Sequence, residues 1–100
     1  MNDYITPDRE HSALLMIDIQ HDFTLMDATA EIPGTLQAVQ YIQHLVQVYR
    51  EHGYPIIHIT RLYRADGSNV DLCRRRAIEN GKQVVIPGSD GAELMDELKP

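Results

Sequence analysis

Asp18 is the residue of this sequence best placed to do chemistry. It follows directly on Ala13-Leu14-Leu15-Met16-Ile17, an unbroken apolar run. Apolar residues without alternation suit a strand buried on both faces, as in a parallel sheet covered by helices. A carboxylate ending that strand lies at the carboxyl edge of the sheet, where open α/β sheets bind ligands in the crevice beyond the strands. Partial desolvation at such an edge suits a carboxylate to general-base work. The alternative is a capping role, in which Asp18 bonds the backbone amides of the following loop. Phe23, just past it, can wall a small-molecule pocket or pack into the core. Arg61 follows a second apolar stretch and reaches the same edge. There it can bind a substrate carboxylate, or pair with Asp22 or Asp66.

Cys73 is the single cysteine, which excludes an intramolecular disulfide and a secreted disulfide scaffold. It follows Asp71 and precedes Arg74, Arg75 and Arg76 in a segment that reads as helix. Neighbouring guanidinium groups favour a thiolate, yet a packed, inert helix cysteine is the expectation. The three arginines point in different directions on a helix and are expected to form a solvated rim rather than a phosphate grip. His11, His21, His44, His52 and His58 fall on separate elements without metal-ligand spacing, so no metal and no cofactor is expected. His44 and His52 are expected on a helix surface.

These residues need elements to hold them. The spacing predicts a strand over 13–17 and a loop over 19–33. A helix then opens at Pro33-Gly34-Thr35, with Thr35 as N-cap. Leu36, Val39, Ile42, Leu45, Val46 and Tyr49 recur at three- and four-residue intervals on one face of it, and Gly53 stops it. Pro55 begins a second strand, Ile56-Ile57-His58-Ile59-Thr60. Strand, helix and strand in this order form a βαβ unit with a right-handed crossover. A polar turn follows at 64–69, then a helix over 70–80 closed by Gly81, with Asp71 four residues before Arg75. Residues 83–86 read as a short extended stretch, 87–91 as a loop, and 92–98 as one or two helical turns. Residues 1–12 form a polar N-terminal segment ahead of the domain over 13–100.

Composition narrows the partners. Hydrophobic residues make up 43% and charged residues 24% of the 100 residues, the balance of a globular chain rather than a disordered one. Nine basic against fifteen acidic residues give a formal net charge of −6, no attraction for nucleic acid. The N-terminus is polar and no apolar run is long enough to span a bilayer, so the expectation is a cytoplasmic protein without a signal peptide or membrane contact.

The stretch Ala13-Leu14-Leu15-Met16-Ile17-Asp18-Ile19-Gln20-His21-Asp22-Phe23 resembles the opening strand of the isochorismatase-like cysteine hydrolases, an apolar run followed by Asp-x-Gln-x-Asp-Phe. The likeness continues through Pro33-Gly34, Gly53-Tyr54-Pro55-Ile56-Ile57-His58-Ile59-Thr60-Arg61, Asp66-Gly67-Ser68-Asn69 and Ile86-Pro87-Gly88. The resemblance implies a three-layer α/β/α doubly wound parallel sheet, of which these residues form the N-terminal βαβ portion. It also implies a catalytic Asp, Lys and Cys acting on a small-molecule amide or related C–N bond. The Asp corresponds to Asp18. Lys82 and Lys99 do not follow an apolar strand, and Cys73 does not stand at a strand-to-helix junction, so none of the three matches the family's Lys or nucleophile. Metal-binding, nicotinamidase-type relatives carry Asp-x-His after the second strand. Thr60-Arg61-Leu62 stand there instead, which argues against that activity.

Two readings follow. One is a cysteine hydrolase to which this chain contributes the catalytic Asp; the other is a non-catalytic module that keeps the front half of the fold for assembly or binding. A flavodoxin-like nucleotide domain is disfavoured, because no Gly-rich phosphate loop follows the first strand. Two strands are also few for a parallel sheet. The chain alone is therefore expected to be poorly folded or self-associated, as a homo-oligomer or completed by a partner.

Overall fold

A computed structural model describes residues 3–100. Of the polar segment over 1–12, residues 1 and 2 lie outside the described residues. The rest of it is exposed up to Ser12, with one 3-10 turn at Arg9–His11 that Asp8 caps through the Glu10 N–H. Its last residue anchors it, since the Ser12 hydroxyl lies 2.8 Å from that of Tyr49.

The predicted βαβ unit is present. Strand β1 is Leu14–Ile17 and strand β2 is Ile56–Ile59, paired in parallel with Leu14 opposite Ile56 and Ile17 opposite Ile59. The long helix between them, α2, spans Thr35–His52. A short helix α1, His21–Thr24, precedes it, and α3, Leu72–Glu79, follows β2.

Helix α2 packs on one face of the sheet, where Met16, Val39 and Val46 join Met95 and Leu98 in a buried cluster. Full burial of such a side chain stabilises by about 1.5–3 kcal/mol. The other face is not covered. Leu15, Ile17, Ile57 and Ile59 are 50%, 54%, 46% and 41% exposed, so β1 is buried on one face and not on both as its composition suggested. A row of aliphatic side chains in water favours association. The 100-residue chain is accordingly expected to sediment as a species heavier than the monomer, and Ile59→Lys to shift it toward the monomer. A sharp cooperative melt from a wild-type monomer would contradict this.

Several local expectations are corrected. The stretch 19–33 is not all loop, because it contains α1. Gly34, not Thr35, is the N-cap of α2; it takes the left-handed conformation at φ 91°, and Thr35 Oγ1 instead donates to the Ile32 carbonyl at 2.8 Å. Gly53 ends the helix as predicted, at φ 70°. Asp71 is not inside α3 paired with Arg75; it is the helix's N-cap residue and its side chain turns elsewhere. Residues 83–86 do not extend: Val85, fully buried, sits at φ 41°. That region is unfavourable for a β-branched residue, by about 1–3 kcal/mol. Two hydrogen bonds hold it, from the Val85 N–H to Asp22 Oδ2 (2.7 Å) and from the Tyr63 N–H to the Val85 carbonyl (3.0 Å).

Among the described residues no helix is long and apolar enough to cross a membrane.

Candidate active site

The end of β1 is fixed before its side chains are considered. Asp18 carries the parallel ladder one step past the strand, its N–H donating to the Ile59 carbonyl at 2.8 Å. It then turns into the left-handed region at φ 60°, which aspartate tolerates better than most residues. The turn leaves the carboxylate at the carboxyl edge of the sheet, partly exposed, with its side chain 28% accessible.

Gln20 sets the floor of the site, a role the sequence did not disclose. It is fully buried. Its amide nitrogen donates to the carbonyls of Arg61 and Ala92, each at 2.9 Å, and its amide oxygen accepts from the Arg61 N–H at 2.8 Å. One side chain thus joins the ends of both strands to the 3-10 turn at Asp90–Ala92, its own buried amide nitrogen and oxygen both paired. Around it the segment pairs again: His21 N–H donates to Glu93 O, and Met95 N–H to Ile19 O.

With its backbone held by Gln20, Arg61 projects its guanidinium between two carboxylates. Nε donates to Asp18 Oδ2 at 3.3 Å, and Nη1 donates to Asp71 Oδ2 in a short bond. Neither Asp22 nor Asp66, the acidic partners weighed for it against a substrate carboxylate, is used. Asp22 accepts from the Val85 N–H, and Asp66 accepts from the Ser68 N–H at 2.9 Å. Burial alone would weaken the guanidinium's hold on its proton, but the hydrogen bond to Asp18 and the charges of Asp18 and Asp71 outweigh it and raise the Arg61 pKa. The network continues inward. The Tyr63 hydroxyl donates to Asp71 Oδ2 at 2.6 Å and accepts from Arg74 Nη1 at 3.2 Å. Burial, then the bond to Asp71, push the Tyr63 phenol above its ordinary value, against the opposing effect of Arg74.

Phe23 is only 1% exposed and belongs to a second core with Tyr63, Val84 and Val85. Of its two sequence-level roles, core packing is the one this position fits. Arg74 lies across the ring, its guanidinium carbon 4.9 Å from the centroid. The arginine run is therefore not a uniform rim: Arg74 is half-buried while Arg75 and Arg76 are exposed. Cys73 is exposed rather than packed, near Arg74 Nη1 at 4.0 Å. The structure brings Asp18 and Arg61 together and leaves Phe23 in the second core. Asp71, Tyr63 and Gln20, absent from the sequence-level candidates, complete the group. Only the Asp-x-Gln spacing of the opening motif could have pointed to one of them.

The histidines stay apart. His44 and His52 are exposed on α2 as expected, and His58 lies on β2 opposite Met16. No group of three or more His, Cys, Asp or Glu among the described residues is arranged to hold a metal ion.

Comparison with known proteins matches the Isochorismatase domain to residues 12–100. A probable inactive nicotinamidase from Arabidopsis thaliana is 35% identical over 89 residues, which are 88% of this chain and 45% of that protein. An isochorismatase family protein from Desulfovibrio vulgaris is also 35% identical, and its crystal structure superposes with a TM-score of 0.80 over 88% of this chain and 46% of that one. A cysteine hydrolase from Pseudomonas syringae shares the fold at a TM-score of 0.76 and 24% identity, over 94% of this chain and 44% of that one. The chain thus spans somewhat less than half the length of the relatives it matches.

Proposed function

This chain belongs to the isochorismatase family, and from that premise we propose that it supplies the general base of a cysteine hydrolase site acting on a small-molecule amide or related C–N bond. The observation that carries the reading is the placement of Asp18, a partly exposed carboxylate at the carboxyl edge of the sheet that accepts, among the described residues, from Arg61 and from no backbone amide. In this reading Asp18 takes the proton of a thiol, and the thiolate attacks the substrate carbonyl. In this reading neither Cys73, which stands in the polar α3, nor Lys99, which pairs with Glu93 and Asp96, is the thiol or the assisting lysine; the reading requires both from the rest of the family fold. The proposed chemistry uses no metal, because Thr60-Arg61-Leu62 offer no Asp-x-His ligands. Arg61 is proposed to meet the substrate at this edge, and Phe23 to support the site from the core side.

A second reading, a non-catalytic module, draws support from the Arabidopsis relative, whose name describes it as probably inactive. An assay separates the two. The 100-residue chain is expected to turn over no simple amide, because members of a catalytic unit act together and losing them costs several orders of magnitude. If the gene encodes a longer product carrying the rest of the family fold, that product is expected to be active, to lose activity on thiol alkylation, and to keep it in Cys73→Ala. Turnover by the 100-residue chain, abolished by Cys73→Ala, would overturn the assignment of the nucleophile. Inactivity of the longer product toward amides would favour the non-catalytic module.

A further inference from the structure

We propose that Asp71 is a positioning residue for Asp18, acting through Arg61. The inference deepens the reading of Asp18 as general base and rests on it. Asp71 touches neither Asp18 nor the crevice in front of it by any bond of its own; its partners are Arg61 Nη1 and the Tyr63 hydroxyl.

The geometry behind the proposal is a chain of fixed groups that starts in the core. Phe23 is buried and lies beneath Arg74; Arg74 donates to Tyr63; Tyr63, itself 2% exposed, donates to Asp71. Asp71 is thereby held from the inside although it stands at the start of α3 on the surface. The guanidinium of Arg61 is a planar fork whose nitrogens cannot move independently. Once Nη1 is fixed on Asp71, and the Arg61 backbone is fixed on Gln20, the direction of Nε is determined. Nε then meets one oxygen of Asp18, Oδ2, and no second guanidinium contact to Asp18 forms. The other oxygen is left to take a proton.

Removing the Asp71 charge frees the fork. Arg61 is then able to turn both arms to Asp18 in the bidentate pairing that guanidinium and carboxylate prefer. Such a pair occupies both oxygens and takes the base out of use. The role therefore concerns orientation. Its stability component is small, because partly exposed ion pairs contribute only about 0–1 kcal/mol.

The test reads Arg61 directly, by ¹⁵N NMR of its guanidinium in a longer product of the gene that carries the rest of the family fold, with the signals assigned by Arg61→Lys. In the wild type, anchoring at both ends is expected to give a protected Nε–H and separate Nη signals, because rotation about the Nε–Cζ bond is hindered. Asp71→Asn is expected to change this pattern while the backbone amide spectrum elsewhere is preserved. Tyr63→Phe leaves the Arg61–Asp71 bond in place and is expected to change it less. In the longer, active product, Asp71→Asn is expected to lower kcat about tenfold with KM little changed, and Asp71→Glu to recover part of the loss. If Asp71→Asn does not fold, Tyr63→Phe takes its place: it removes the hold on Asp71 from the core side and is expected to lower kcat by a smaller factor with KM unchanged.

An unchanged Arg61 spectrum in Asp71→Asn, or full kcat in both Asp71→Asn and Tyr63→Phe, overturns the proposal. The general-base reading fails separately, if Asp18→Asn keeps its activity.

Discussion

Replacing Asp18 by asparagine in the active protein is expected to lower kcat by at least about a hundredfold while leaving KM and stability nearly unchanged. General-base contributions are typically about 10²–10⁴-fold, and asparagine cannot accept the proton of a thiol. The substitution isolates that function because it disturbs little else. Asp18 sits at φ 60°, where asparagine is as well tolerated as aspartate. Its N–H bond to Ile59 O belongs to the backbone and persists. The lost interaction is the 3.3 Å pair with Arg61, between side chains 28% and 37% exposed, a geometry that contributes no more than about 1 kcal/mol. A capping role would give the opposite pattern, a normal kcat and a lowered melting temperature. The bond of the carboxylate to Arg61 rather than to backbone amides already disfavours that role. Activity and thermal melting measured on one Asp18→Asn sample decide the matter. Retained activity with lost stability would sink the catalytic assignment.

Gln20→Leu is expected to be the most destabilising single change at the site, at about 3 kcal/mol or more. Leucine matches glutamine in size and leaves no cavity, so the loss comes from hydrogen bonding alone. Three groups lose their partner at once: the Arg61 N–H, the Arg61 carbonyl and the Ala92 carbonyl. A donor or acceptor left unpaired costs about 1–3 kcal/mol where it is buried; Arg61 and Ala92 are half-buried, so each loss falls toward the low end of that range. Small domains are stable by only about 5–15 kcal/mol, so a shift of this size is a large fraction of the whole. It is read, in a longer product of the gene that carries the rest of the family fold, as a lower urea midpoint with the slope of the transition unchanged. Because Gln20 holds the Arg61 backbone, the variant is also expected to loosen the Arg61 bridge between Asp18 and Asp71. A Gln20→Leu midpoint within about 0.5 kcal/mol of wild type would mean that water or a local shift satisfies these groups, and that the glutamine is not the tie it is taken for.

Strand β1, helix α2, strand β2 and the candidate Asp18 were legible in the sequence, because each rests on neighbours along the chain. An unbroken apolar run, a three- and four-residue repeat closed by Gly53, and a carboxylate ending a strand are local patterns that backbone geometry turns directly into structure. The opening motif added the family by resemblance. What surrounds Asp18 was decided only by tertiary contacts. Gln20 bonds residues 41 and 72 positions away, and Asp22 bonds Val85 63 positions away. No spacing rule reaches that far. Arg61 had two acidic candidates in the sequence, Asp22 and Asp66, and the choice of Asp18 and Asp71 followed from where β2 ends and α3 begins, not from distance along the chain. The second core is another product of folding: Val84 and Val85 are buried without belonging to a strand, and Val85 is held in a conformation its own side chain disfavours. Local propensity loses there because two long-range hydrogen bonds and full burial outweigh a strain of about 1–3 kcal/mol.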